Sequence, residues 1–585
     1  MRHLVSTHEQ YDAAVRHLQL DGRPITVDVE TNGLWWRRDH VVSVQIGTQA
    51  GDVYYFPFRH GAGPNLPAKL LRQLATEVLR PDRLQIYHHG AFDMKMLVRE
   101  GYTLPTVWRD TLLEAHLLNE LEPSYKLETL SAKYLQRQGT EERDLLRVLA
   151  EAYPNAPTKG LKGLVWTLPA DHPAMLAYGC ADIELTTALA QHHEPHLKAW
   201  GLEDHARGIA HWQTILAKME MRGVRMDLER LRQVEIEARA ERDRLGAWLE
   251  EAAFRDTGQR INLASVPQLM GWLRDAAGLT LPDTQAMTLK QFAHDERVAN
   301  LLRWRVESKT LGTFVATFEQ QAADNGRIYT NYSLSSPEGH GTVSSRLSSH
   351  AVDGHGINSQ QVPKRMRSAL VADSPEHRFV QLDLSQAELR LAAHYYLGAG
   401  DSSLAAALSG TDMHQRMADR TGLVRKKAKA PNFALQYGAG PPRLASMLGW
   451  PIDEAREYYS DFHDEFPGLR RVGGRLRGLL RQQGYFRLWN GRRAWTDKPH
   501  TAFNRLIQGG VAEWLREAAV RIDHELSDVP WALTVHDSLV FMAHKDDALE
   551  LAREAKRILE DTPWCRVPAR ADAEWGYSWG EMETL

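Results

Sequence analysis

The sequence predicts a multidomain α/β protein, and three observations carry that reading. The chain has 585 residues, too many for one hydrophobic core, so roughly three to five domains are expected. Residues 1–195 alternate strand-like and helix-like stretches, as a mixed sheet with covering helices requires. From about residue 203 to 320 the pattern turns helical, and beyond it two strand signals carrying aspartate flank a long helical run.

In chain order, Ile25-Thr26-Val27-Asp28-Val29-Glu30 reads as a strand and Val41 to Ile46 as its hairpin partner. Helical patterns follow over 68–79, 91–99, 110–120 and 173–190. Charged amphipathic runs occupy 208–222 and 227–253, and Gly, Pro and Asp around 278–284 break the helical stretch. Gly- and Ser-rich sequence over 335–360 precedes a strand-like Phe379 to Asp383. Helix predominates from there to about 525, and Trp531 to Met542 reads as one further strand. No internal repeat is present.

Composition excludes several classes. No apolar run approaches the roughly 18 to 20 residues of a membrane span, and the N-terminus lacks the pattern of a secretory signal. Two cysteines, Cys180 and Cys565, support neither a disulfide framework nor a thiolate zinc site. A cytoplasmic location is expected. The net charge of −4 says little, but its distribution says more. Residues 425–429 read Arg-Lys-Lys-Ala-Lys, and 470–493 carry eight arginines (470, 471, 475, 477, 481, 487, 492 and 493) with almost no acid. Between 227 and 256, acids and bases alternate as on a solvated helix. Basic stripes on a near-neutral protein suit a molecule that grips a phosphate backbone yet slides along it.

Two constellations of acids point to chemistry. In the first, Asp28 and Glu30 are two apart on a strand and leave the same face. Asp93 begins a helix after His88-His89-Gly90-Ala91-Phe92, and Tyr178 and Asp182 share one helical face. Hard divalent cations take oxygen ligands, and two of them roughly 4 Å apart can drive phosphodiester hydrolysis. A nearby tyrosine can orient the water. In the second, Asp383 ends a strand and Asp537 lies inside another, a pair suited to metal-dependent nucleotidyl transfer. Between them Arg425, Lys429, Phe433 and Tyr437 are each four residues apart, one stripe along a helix. Two cations followed by two aromatics match the triphosphate, sugar and base of an incoming nucleotide.

Together and in order, the first acids resemble the three signatures of the DEDD exonuclease superfamily, in its tyrosine-bearing subgroup, over about residues 20–190. The resemblance implies a ribonuclease H-like 3′–5′ exonuclease domain, with Asp28, Glu30, Asp93 and Asp182 as metal ligands and Tyr178 orienting water. The rest of the chain resembles a family A DNA polymerase, similar to the large fragment of bacterial DNA polymerase I and its phage relatives. Asp383 to Arg390 matches motif A, Arg425 to Gly438 motif B, and Val535-His536-Asp537 motif C. Thr342 with Arg346 to Ser349, Asn358 to Pro363, Asp412 to His414, Asn504 to Gly509 and Gly576 to Trp579 also fit.

That resemblance implies an exonuclease domain over 1–200 and a right-hand polymerase over 201–585. Within the latter it implies a thumb at about 205–330, a palm at about 331–400 and 500–585, and fingers at about 401–499. It makes Asp383 and Asp537 metal ligands for Mg²⁺, two ions per site, with Mn²⁺ able to substitute. Arg425 and Lys429 would bind triphosphate, with Lys429 a proton donor to pyrophosphate. Phe433 would pack on the deoxyribose, Tyr437 would lie near the templating base, and Glu388 would exclude a 2′-hydroxyl. Arg346, Asn504, Gln508 and His536 would contact primer–template DNA, largely in the minor groove, where correct pairs look nearly alike.

The sequence departs from the family pattern at several positions. His89 stands where the second exonuclease signature usually has Asn, Ser538 where motif C has Glu, and Leu384 where motif A has Tyr. Pro431 inside the motif B helix should kink it; Ala434 replaces a Gly and His500 an Arg. No 5′ nuclease domain is expected ahead of the exonuclease, nor a long thumb insertion, which suits a compact phage- or plasmid-like monomer. Expected partners are primer–template DNA and dNTPs, with a helicase, primase or single-strand-binding protein in a replicative setting. Gap-filling repair is the alternative role. The rival reading is a 3′–5′ nuclease whose polymerase half only holds primed DNA.

Overall fold

A computed structural model describes residues 1–334, 346–352, 354–410 and 412–585; Thr342 lies outside the described residues. The N-terminal half is built on a six-stranded sheet in the order β1-β4-β3-β2-β5-β6. Its strands are β1 (Arg2–Leu4), β2 (Ile25–Thr31), β3 (Val41–Thr48), β4 (Val53–Pro57), β5 (Gln85–Tyr87) and β6 (Trp108–Asp110). β2, β3 and β4 run antiparallel, β3 being the hairpin partner the sequence indicates, while β1, β5 and β6 add in parallel.

Every residue of β3 is buried because helices cover the sheet. The short helix α1 (Ala91–Val98) brings Asp93, and the long helix α2 (Pro173–Trp200) lies across β2, β3 and β4. Two glycines set how closely α2 approaches. A Cβ on Gly47 would lie 2.3 Å from the Ile183 side chain, and one on Gly179 would press on Tyr55 and Gln45. Small residues at that contact let the α2 face bearing Tyr178 and Asp182 reach the β2 acids.

The second half is organised by an eight-stranded sheet in the order β15-β16-β12-β17-β11-β7-β8, with β18 pairing β17. These strands are β7 (Val224–Met226), β8 (Arg327–Ile328), β11 (Leu370–Val371), β12 (His377–Leu384), β15 (Trp531–Val535), β16 (Ser538–His544), β17 (Ala571–Ser578) and β18 (Glu581–Thr584). Two small hairpins complete the strands: β9 (Asn331–Ser333) with β10 (Ser348–His350), and β13 (Tyr485–Arg487) with β14 (Arg493–Trp495). β12 sits centrally, with Asp383 opposite Ser538 on β16 and opposite Asp572 on β17.

Helices α3 (Glu203–Arg222) and α4 (Leu228–Thr257) follow the amphipathic runs read from the sequence. Further on come α5 (Ala387–Gly398), α6 (Arg425–Gln436), α7 (Gly468–Gln483) and α8 (Ala502–Leu526). α3 packs between the halves. Thr214 accepts from the Trp108 indole at 3.0 Å, Glu220 pairs with Lys95, and His211 meets Asp523 at 2.9 Å.

A second seam is fully charged. Glu120, from the N-terminal half, accepts Trp495 N–H at 3.0 Å, Arg505 at 3.1 Å and Arg492 at 3.3 Å. Arg492 in turn holds Glu513 at 2.6 Å, and Glu513 pairs with Arg516. Arg492 and Glu513 are completely enclosed.

One sequence expectation needs correction. His536 and Asp537 do not lie inside a strand: they form the tight connection between β15 and β16, with His536 at φ 56. Val-His-Asp-Ser lacks the Asn-Gly or Asp-Gly pair that marks a tight hairpin, although His and Asp both tolerate the positive φ that His536 adopts. Pro431, by contrast, is accommodated within one continuous helix, α6.

Candidate active sites

In the N-terminal half, alternation along β2 sends Asp28 and Glu30 to the same face, and α2 delivers Asp182 opposite them. Carboxylate oxygens of these three residues all lie within 4.8 Å of one another, the one such group of acids among the described residues. Asp93, in the first turn of α1, accepts the Val29 N–H at 3.1 Å and so sits against the same strand. Its loop is held from below by Asp110, which accepts from His89 N at 3.0 Å and Gly90 N at 2.9 Å. His89 takes φ 67, a left-handed conformation that Asn and His adopt more readily than most residues.

Burial raises the proton affinity of all four acids. Asp28 is pushed up to about 7, and Asp182 to about 8 with a further push from Asp28. Glu30 and Asp93 lie well above the usual carboxylate range for the same reasons, burial first and Asp28 next. Tyr178, also buried, supports the Asp182 carboxylate by a hydrogen bond. No spacing pattern points to Lys162, which arrives on a 3₁₀ segment (Thr158–Thr167). Its ammonium lies 5.1 Å from the Tyr178 ring centroid and 3.2 Å from Glu142, and its charge lowers the proton affinity of Asp28 and Asp182. One cation against four converging carboxylates leaves a set short of positive charge with oxygen donors only. That donor set fits a hard divalent ion.

In the second half, Asp383 at the end of β12 and Asp537 in the β15–β16 turn come together, and the Leu384 amide donates to the Asp537 carbonyl at 3.3 Å. Burial, then the Asp537 charge, pushes Asp383 up to about 6. Burial also raises Asp537, opposed by Arg346 at 4.0 Å. Ser538 adds no oxygen here: its hydroxyl is buried and donates to the Val535 carbonyl at 2.8 Å. The sequence did not single out Asp572, whose charge beside Asp383 on β17 also raises that acid.

Arg425, Lys429 and Phe433 run along α6, and Tyr437 caps its end with its ring stacked 6.5 Å from Phe433. Glu388, in the first turn of α5, takes hydrogen bonds from the Tyr437 hydroxyl and from Arg346, so motifs A and B are tied together. Arg425 pairs with Asp412 at 2.6 Å, Phe433 faces His414 at 5.0 Å, and Lys429 is exposed. Asn504 and Gln508 lie one turn apart on α8, and the Asn504 side-chain oxygen Oδ1 is buried without a hydrogen-bond partner. His536 is exposed at the turn.

Comparison with known proteins gives this geometry a family. Residues 229–581 match the sequence model of DNA polymerase family A. The chain belongs to that family. Residues 3–158 match the model of a 3′–5′ exonuclease, a match that stops short of Tyr178 and Asp182. DNA polymerase I of Pseudomonas aeruginosa is 27% identical over 98% of this chain and 65% of its own length. That of Rhizobium leguminosarum is 26% identical over 85% of this chain and 51% of its own length. The chain thus spans about half to two thirds of these two bacterial relatives. A DNA-directed DNA polymerase of Pseudomonas phage M6 is 25% identical, covering 92% of this chain and 90% of the phage protein. The solved POL domain of Pol1 from M. smegmatis, in complex with DNA primer-template and dNTP, shares the fold with a TM-score of 0.77, 24% identity and 99% coverage of both chains.

Proposed function

We propose that this family A protein is a template-directed DNA polymerase with a 3′→5′ proofreading exonuclease, each activity run from its own acid site. The observation that carries the reading is the linkage of Glu388 to Tyr437, which ties the end of α6 to the first turn of α5, five residues beyond Asp383. In this reading residues 1–200 form the exonuclease domain and 201–585 the polymerase, with thumb, palm and fingers as the family arrangement implies.

Asp383 and Asp537 would hold two Mg²⁺ ions, and Asp28, Glu30, Asp93 and Asp182 would hold the exonuclease pair. Bound there, the ions would activate the attacking oxygen and offset the negative charge on the phosphoryl oxygens. The chain's own residues do the positioning. Arg425 and Lys429 grip the triphosphate as charge-assisted donors, and Lys429 gives a proton to departing pyrophosphate. Phe433 supports the sugar and Tyr437 the base, while Glu388, held by Tyr437 and Arg346, occupies the space a 2′-hydroxyl would need. Arg346, Asn504, Gln508 and His536 contact the primer–template minor groove. In the exonuclease site Tyr178 orients the attacking water.

A 5′-labelled primer on a longer template with Mg²⁺ tests the reading directly. Lengthening with dNTPs and shortening without them are expected. Shortening under both conditions would replace this reading with a nuclease whose polymerase half only holds DNA. Glu388→Ala should ease ribonucleotide incorporation, and unchanged sugar discrimination would remove Glu388 from its assigned role.

A further inference from the structure

The arginine-rich stretch 470–493 is only partly absorbed by the active sites. Helix α7 contains five arginines and no acid. Two are engaged in the fold: Arg471 donates to the Gly400 carbonyl at 2.8 Å and Arg475 to that of Gly398 at 3.1 Å. The other three, Arg470, Arg477 and Arg481, are exposed and have no carboxylate partner among the described residues. At 100° per residue they deviate by only about 20° from one line, a row about 16 Å long. Helix α4 shows what an ordinary solvated face looks like, with Arg239 on Glu235 at 2.6 Å and Arg244 on Glu241 at 2.8 Å.

Glycines along the row add a second signal. Gly468 is required by packing, since its Cβ would lie 2.3 Å from the Tyr396 ring. Gly474 and Gly478 have nothing within 4 Å of an added Cβ. Glycine inside a helix is destabilising, and here no neighbour demands it. Bare backbone beside unpaired guanidinium groups lets an anionic polymer lie close.

Beyond Gly484 the chain turns directly into β13, whose Tyr485 belongs to an array of rings. The Arg493 guanidinium lies 3.7 Å from the Trp200 ring and 4.3 Å from that of Tyr485, its Nε buried without a hydrogen-bond partner. Trp495 lies 6.3 Å from Trp200 and 6.2 Å from Tyr485. From Trp200 the rings continue along α2 through His196 at 6.3 Å and on to His192 at 5.0 Å. A sequence-tolerant single-strand site combines these two parts, a basic groove and aromatic faces.

We infer that the Arg470–Arg477–Arg481 row, continued by Arg493 and the rings of Trp200 and Tyr485, is a binding track for single-stranded DNA. Resting on the polymerase reading, its strand is the unpaired template ahead of the primer end. Phosphates lie along the arginines and bases meet the rings.

The test uses the full chain and fluorescence anisotropy on primer–templates with the same duplex, either blunt or with a long unpaired template strand. The variant combines Arg470→Ala, Arg477→Ala and Arg481→Ala, all exposed and outside both active sites. On the long-overhang DNA the slope of log affinity against log salt should fall by about 2, at about 0.7 per lost single-strand phosphate contact. Blunt DNA should bind as before, and lysine at the three positions should restore the slope. An unchanged slope on the long overhang would overturn the proposal, as would equal losses on blunt DNA. So would a variant that loses polyglutamate binding but keeps oligothymidylate, since the row would then be an acidic-peptide surface. Extension by the unaltered protein on a one-nucleotide overhang, run alongside, reports separately on the polymerase reading.

Discussion

The two acid sites solve different problems on similar sheets. The N-terminal site gathers four carboxylates from β2, α1 and α2, deep enough that burial raises all four. The other brings two aspartates together at a strand end and a turn, with a milder rise on Asp383 to about 6. Charge is concentrated in the first by the site itself. In the second it is spread outward to Arg346, Arg425 and Lys429, groups that suit a substrate bringing its own phosphates. In the proposed reading, a cleaving site must supply everything, whereas a joining site shares the work with its nucleotide.

The sharpest way to break this comparison is to remove one acid from each side. Asp383→Asn should reduce primer extension by at least about 10²–10³-fold, the scale on which a single electrostatic stabiliser acts, and leave shortening intact. Asp28→Ala should do the reverse, with more mismatches retained. If either folded variant lost both activities, the two sites would not be independent.

Lys162→Met asks whether the lone cation of the first site matters. It should slow degradation about 10- to 100-fold, as losses of outer-shell partners do, and leave extension unchanged. Equal rates in a single-turnover assay would reduce Lys162 to a structural partner of Glu142. Ser538→Glu asks the converse of the second site. It should lower the Mg²⁺ concentration for half-maximal extension by a few-fold, as one added oxygen ligand would. Unchanged metal dependence would mean that the buried Ser538 position does not face the ions.

The smallest effect compares the halves as folded bodies. Burial lowers His60 to about 4 and His116 to about 3 in one half, and His394 and His463 to about 4 in the other. Each is neutral when folded, while in the unfolded chain each takes up a proton near pH 6.5, the ordinary imidazole value. Their contribution is therefore complete above about pH 6.5 and is lost as pH falls towards 4. Melting of the C-terminal half between pH 7 and 5 should drop on the order of 5 °C, whereas in the N-terminal half the raised Asp28 and Asp182 take up protons in the folded state and oppose the loss. A pH-independent midpoint in the C-terminal half would contradict the burial of His394 and His463.

Much of this was legible beforehand because period-2 and four-residue spacings survive folding unchanged. Asp28 with Glu30, and Arg425 with Lys429 and Phe433, lie where strand and helix geometry put them. Asp537 reads as mid-strand because the apolar and β-branched residues on both sides of His536-Asp537 mask the turn and no Gly follows it. Lys162 and Asp572 could not be found at all: one sits on an irregular segment and the other gains meaning only through cross-strand register. The α7 arginines were visible as composition, yet only the structure separates those bonded to carbonyls from those left facing solvent.

The enclosed Glu120–Arg492–Glu513 cluster has a mechanical consequence. Undocking the N-terminal half would take Glu120 from its Trp495, Arg505 and Arg492 donors and let water into the seam, while Arg492 would keep Glu513. In the proposed reading, a frayed 3′ end passing from Asp383 to Asp28 would cross a seam closed by these bonds, and the melting of a few base pairs would time the transfer.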